Sequence, residues 1–225
     1  MTNIAPKGLN RYLKEPVNSL THFLGVVLSI IALVVLLILS KGDVWRTVSF
    51  SIYGAASIIL FSASTLLHSL KVNKNKENML RIFDHASIFI LIAGTYTPIT
   101  LITLRNNFPA WGWSIFGVVW GIAILGVVFK LFWIKAPRFI SVGLYLLMGW
   151  AAVVAIVPIL KSLPTLGFIW MLAGGLFYSV GAVVYARKKP DFIPNVFGYH
   201  ELWHLFVLAG SICHFVMMYK YVLPK

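Results

Sequence analysis

Leu20-Thr21-His22-Phe23-Leu24-Gly25-Val26-Val27-Leu28-Ser29-Ile30-Ile31-Ala32-Leu33-Val34-Val35-Leu36-Leu37-Ile38-Leu39-Ser40 decides the fold. It carries no Asp, Glu, Lys or Arg. About 20 helical residues cross a hydrocarbon core of roughly 30 Å, so the stretch reads as one membrane crossing. Six further apolar stretches follow, at 47–70, 82–104, 110–132, 139–160, 164–186 and 199–221. Charges, Pro or Asn separate them, among them Lys41-Gly42-Asp43, Lys71 to Arg81, Arg105 to Pro109, Lys135 to Arg138, Lys161 to Pro164 and Arg187 to Asn195.

Composition points the same way. Of 225 residues, 60% are hydrophobic and 11% charged, and the mean hydropathy is +0.88. A soluble domain needs more polar surface than this. The expected architecture is an all-α membrane protein, a bundle of seven transmembrane helices. It comprises an N-terminal segment, 1–19, on the cytoplasmic side and a single domain, 20–225. Nothing after the first run resembles a small-residue cleavage site, so that run reads as a retained helix and not a signal peptide. The single cysteine, Cys213, lies within an apolar run and has no partner for an internal disulfide.

Nineteen basic residues face six acidic ones. In a soluble chain that excess would suggest nucleic acid. Here the cations sit between apolar runs and read as anchors to anionic headgroups, so no nucleic-acid partner is expected. One side collects Lys7, Arg11 and Lys14, then Lys71, Lys74, Lys76 and Arg81, then Lys130, Lys135 and Arg138, then Arg187, Lys188 and Lys189. The other side has Lys41, Arg46, Arg105, Lys161, Lys220 and Lys225. Cytoplasmic loops are the Lys/Arg-rich ones, so the N-terminus is expected inside and the C-terminus outside. Lys130 falls near a helix end and is expected to snorkel to the interface. Trp111, Trp113 and Tyr219 suit aromatic belts.

Ionisable groups at membrane depth are costly, and each is a functional candidate. Glu15, Asp43, Glu77 and Asp191 fall in loops or the tail, leaving Asp84 and Glu201 in or at the start of helices. His68 closes the second helix, Asp84 and His85 open the third, and His200, Glu201 and His204 open the seventh. All then share one depth near the cytoplasmic face. His200 and His204 are i and i+4 and project together, as do Ser64 and His68. With His68 they supply three imidazoles and leave a fourth position for water, the usual pattern of catalytic zinc. Zinc would bring the pKa of that water near neutral. Asp84 is placed to take its proton, and Ser64 to steady a developing oxyanion.

The other histidines carry plainer readings. His85 is rotated roughly 100° from Asp84 on a helix, His214 lies too deep, and both read as core residues. His22, beside Asn18 and Thr21, reads as a supporting residue at the right depth and less readily as a ligand. Gly174, Gly175 and Gly181 read as a close helix-packing face, and Phe177, Tyr178 and Tyr185 as packing. Residues 200–204, His-Glu-Leu-Trp-His, also match the HExxH pattern of zinc metalloproteases, which would make Glu201 a general base. The sequence offers no evident path for a peptide strand, and Glu201 equally suits orienting a histidine or pairing with a loop lysine.

Four stretches resemble the hemolysin III family, the bacterial branch of the progestin and adipoQ receptor superfamily. They are Glu15 to His22; Ser64-Thr65-Leu66-Leu67-His68; Phe83-Asp84-His85 through Pro98; and Gly174 to Tyr185 running on to Phe197 through His204. The resemblance spans nearly the whole chain. It implies seven helices with an intracellular N-terminus, and a zinc held by His68, His200 and His204 with a water contacted by Asp84. Ser64 stands at the position of the site's serine. It also implies ceramide-type lipid amide hydrolysis, attributed to receptor relatives and to the similar alkaline ceramidases. The expectation is thus a zinc-dependent membrane hydrolase acting on an amide or ester of a membrane lipid. Two other classes stay open: a sensor or receptor in which zinc is structural, and a pore-forming or cytolytic protein.

Overall fold

The structure is a computed structural model that describes residues 8–193 and 196–224. Lys7, Asn195 and Lys225, which entered the sequence reading, lie outside the described residues. Among the described residues, seven helices are long and apolar enough to cross a membrane: α1 Pro16–Leu39, α2 Val44–Ser69, α3 Lys74–Asn107, α4 Pro109–Phe132, α5 Arg138–Ser162, α6 Thr165–Arg187 and α7 Tyr199–Val222. The chain is therefore a multi-pass, all-α membrane protein.

Local chemistry sets the helix ends. Pro16 and Pro109 occupy first-turn positions, where a missing N–H costs nothing. Asp43 caps α2 by accepting from the Arg46 amide at 2.9 Å, and Asn73 caps α3 by accepting from that of Lys76 at 3.0 Å. Gly42, at φ 93°, turns the chain between α1 and α2 in a conformation that favours glycine. Two starts precede the apolar stretches by a full turn or more. Helix α1 begins at Pro16, before residue 20, and α3 at Lys74, before residue 82. The first turns of α3 are charged, so hydropathy passes over them, yet Asn73 caps them and an Arg81–Glu77 pair at 2.9 Å supports them at i,i+4. Asp84 consequently sits inside α3, well past its opening.

Two spans are irregular. Helix α3 contains Pro98 and runs on through a wider π turn, Ile99–Leu104, because proline lacks the donor that the regular ladder needs. Helix α5 tightens to a 3-10 segment at Trp150–Ala155. The Tyr96 hydroxyl serves that break, donating to the Gly149 carbonyl at 2.7 Å and accepting from the Ala152 amide at 2.8 Å.

Successive helices run antiparallel. Helix α2 packs against both α1 and α3, α4 against α3, α6 against α7, and α7 returns to α1 to close the ring. Helix α3 is the most enclosed, with 83% of its apolar window buried. Phe50, Phe89, Leu104, Met148 and Met217 fill the centre, while Ile38, Leu125, Phe132 and Val154 face outward. Apolar exclusion does not drive helices together in lipid, so close packing must. On α6, a Cβ at Gly174 would lie 2.6 Å from His214 Nε2, and one at Gly181 2.6 Å from Phe206 Cβ. These two glycines form the expected packing face; Gly175 meets nothing within 4 Å and is not part of it.

Candidate metal centre

The antiparallel order brings the end of α2 and the starts of α1, α3 and α7 to one end of the bundle. His68 comes from the last turn of α2; His200 and His204 come from the first turns of α7. One ring nitrogen from each of the three lies within 4.8 Å of the others, a group that could hold a metal ion. A tetrahedral set at about 2.0–2.1 Å from the ion has nitrogens roughly 3.3 Å apart, so the imidazoles need to draw in only modestly.

The donor chemistry fits such an ion. The Glu15 carboxylate meets His68 Nδ1 at 2.7 Å, which leaves Nε2, buried and without a hydrogen-bond partner, for the shared space. His204 Nδ1 lies 3.3 Å from the Asn18 carbonyl oxygen, orienting that ring in the same way. A carboxylate or carbonyl behind a histidine fixes its tautomer and strengthens it as a ligand. The Asn18 amide ties the two sides together, donating to Glu15 at 2.9 Å and to Glu201 at 2.8 Å. Burial pushes the Glu15 carboxyl up, but hydrogen bonds with His68 and Asn18 and the charge of His68 outweigh it and hold its pKa at about 2.

Ser64 and Asp84 lie on the wall of the cavity that the three histidines line. Their side chains hydrogen-bond to each other, so the serine hydroxyl, expected to face an oxyanion, rests on the carboxylate. His22 is 3% exposed and stacks on His204 with ring centroids 3.6 Å apart. It stands beside the group without joining it. His85 reaches no closer than 4.0 Å to Asp84. His214 stacks on Tyr178 at 5.6 Å, deeper in the same cavity.

Both oxygens of Glu201 are engaged. One accepts from Asn18 and the other from the Gly198 amide at 2.8 Å, which caps α7. That employment leaves the HExxH-like string without its free base, and the match is a consequence of helix capping beside two histidines. Glu15, placed in the tail from the sequence, instead stands against His68 at the histidine group, a placement not legible from hydropathy. Its signal was the Glu15-Pro16-Val17-Asn18 helix start, polar residues one turn apart ahead of an apolar run. Lys130 departs from expectation as well. It is 1% exposed and donates to the Ser141 hydroxyl, because α5 covers the end of α4 and leaves no route outward.

The cavity has a volume of about 570 Å³. Leu60, Leu67, Ile88, Leu91, Val207 and Trp203 line it near the histidines, and Ile99, Ile115 and Met171 line it deeper. Its size suits a small-molecule ligand, within a usual range of about 300–1,000 Å³.

Comparison with known proteins adds kinship to this geometry. The profile of the family described as Haemolysin-III related matches residues 10–215. The chain is 42% identical over 221 residues to Hemolysin-3 of Bacillus cereus, covering 96% of this chain and 95% of that protein. It is 41% identical over 210 residues to the Hemolysin-3 homolog of Bacillus subtilis (strain 168), covering 92% and 94%. It is also 27% identical over 209 residues to the Monocyte to macrophage differentiation factor of Homo sapiens, covering 91% and 83%.

Proposed function

The chain belongs to the Haemolysin-III related family, and on that footing we propose that it is a zinc-dependent membrane hydrolase acting on an amide or ester of a lipid. One observation carries the reading. Three imidazoles, two buried and that of His200 half-buried, converge beside a carboxylate–hydroxyl pair on the wall of a largely apolar cavity. A structural metal has little need of an acyl-sized cavity, whereas a lipid hydrolase needs both features together.

His68, His200 and His204 would hold the ion, with Glu15 and Asn18 fixing the first and last of them. A zinc ion on three imidazoles supplies Lewis acidity and a water whose pKa falls to about 7. The apolar wall binds the acyl chain and brings the carbonyl to the histidine end. Asp84 accepts the proton as water adds to the carbonyl carbon, then returns it to the departing nitrogen or oxygen. The products are a free acid and an amine or alcohol. Ser64 orients the Asp84 carboxylate at rest and turns its hydroxyl to the oxyanion as the carbonyl becomes tetrahedral. The N-terminus is cytoplasmic in this reading, which puts the site toward the cytoplasmic leaflet. A lipid hydrolase in excess would also lyse cells without forming a pore, in keeping with the relatives' names.

The test is metal content of detergent-purified protein by mass spectrometry, beside a His68→Ala, His200→Ala double variant, followed by a lipid-amide and lipid-ester hydrolysis screen. About one zinc per chain, lost together with turnover in the variant, is expected from three protein ligands. Bound zinc without hydrolysis would replace the enzyme by a sensor with a structural metal. No metal in either protein would refute the centre.

A further inference from the structure

Four cations line the cavity: Lys14, Arg81, Lys130 and Arg138. Two of them have acidic partners. Lys14 reaches Glu77 at 3.0 Å and Glu15 at 3.7 Å, and Arg81 reaches Glu77 at 2.9 Å. Among the described residues, neither Lys130 nor Arg138 has a carboxylate within ion-pair distance.

Lys130 is the unusual one. A lysine at 1% exposure is costly to bury unless an opposite charge meets it. Its ammonium donates to the neutral Ser141 hydroxyl. Its ammonium lies 5.3 Å from the Phe129 ring and 5.9 Å from that of Tyr145, near the outer limit of about 6 Å for such contacts. Arg138 lies one turn from Ser141 on α5, an i,i+3 neighbour on the same face. Its guanidinium covers the Tyr185 ring at 4.3 Å and donates to the Tyr185 carbonyl at 3.0 Å. Tyr185 in turn packs edge-on to His200 at 5.6 Å. Ser141 thus meets Lys130 one turn along α5 from Arg138, and both cations line the same cavity as the histidines.

We propose that Lys130 and Arg138 form the headgroup subsite of this cavity and select a single-chain acyl lipid that carries a phosphate monoester. Two cations on one cavity, neither with a carboxylate at ion-pair distance, match a dianion better than a single carboxylate or a neutral polyol. Ser141 adds a hydroxyl for one phosphate oxygen, and the apolar wall takes the chain. This deepens the hydrolase reading by naming its substrate class; it rests on the cavity being the lipid site but not on turnover.

The test is equilibrium binding to the purified full-length protein in nanodiscs of neutral lipid. A fluorescent lysophosphatidate is the probe. The monoacylglycerol of the same chain, the free fatty acid and inorganic phosphate are competitors. The lysophosphatidate should bind at least about tenfold more tightly than the monoacylglycerol or the fatty acid, a difference of about 1.4 kcal/mol, and millimolar phosphate should not displace it. Lys130→Met should bring the preference to within about twofold, on the scale of one lost charge-assisted contact, with monoacylglycerol binding and metal content unchanged; Lys130→Arg should keep most of it. If Lys130→Met does not fold, Arg138→Gln carries the same expectation. Equal binding of the neutral lipid, equal binding of the fatty acid, displacement by free phosphate, or an unchanged preference in the folded variant each overturns the proposal. A hydrolase failure reads out separately, because no arm of this experiment measures turnover.

Discussion

Replacing Glu15 by Gln tests whether the carboxylate behind His68 tunes the metal centre. The Glu15 oxygen that meets His68 Nδ1 at 2.7 Å also accepts from Asn18 at 2.9 Å. Gln keeps the shape and removes the charge, so His68 loses its anionic partner while its ring stays in place. Residues in this position typically contribute about 10–100-fold in metal affinity, or about 1.4–2.7 kcal/mol. The Glu15 side chain is 36% exposed, and solvent screening discounts the charge term, so a loss near tenfold is expected. The assay is zinc retention against a graded chelator, read by mass spectrometry. The effect should be flat across neutral and mildly acidic pH. A depressed carboxylate contributes fully above its ordinary value of 4.5 and is lost only as pH falls toward about 2. Any release of metal at milder pH reports imidazole protonation instead, and it should appear in both proteins. Unchanged zinc affinity in Glu15→Gln, with the protein folded, would refute the argument.

Three further outcomes follow from the same geometry. Asp84→Asn should abolish turnover in the hydrolysis screen while leaving zinc bound, since Asp84 lies outside the three-imidazole group; full activity would remove it as the base. Gly181→Val should destabilise the protein by about 1–3 kcal/mol, the usual cost of overpacking, because Phe206 and Trp203 occupy the space a Cβ would take; thermal unfolding in detergent by tryptophan fluorescence checks it. For topology, Cys213 is only 6% exposed and gives a low labelling background. A cysteine at Lys161 should react with an impermeant maleimide in intact cells, and one at Lys188 only after permeabilisation; the reverse pattern would invert the orientation.

Sequence alone determined the count and nature of the helices. Seven apolar runs of membrane-spanning length require helices, because lipid offers no partner for a free backbone amide. The i,i+4 spacing of His200 and His204 put two imidazoles on one face, and alternating direction put His68 and Asp84 at the same end. What the tertiary structure decided is everything that depends on neighbours distant in the chain. Hydropathy saw Glu15 as a tail residue, and only the packing of α1 against α2 and α7 makes it the partner of His68. The string around Glu201 suggested a base, and only the docking of Asn18 reveals both its oxygens to be engaged. Lys130 was expected to reach the interface, as a long cation at a helix end ordinarily does. Its enclosure by Ser141 and Tyr145 is set by where α5 lies, and periodicity along one chain does not encode the position of another helix.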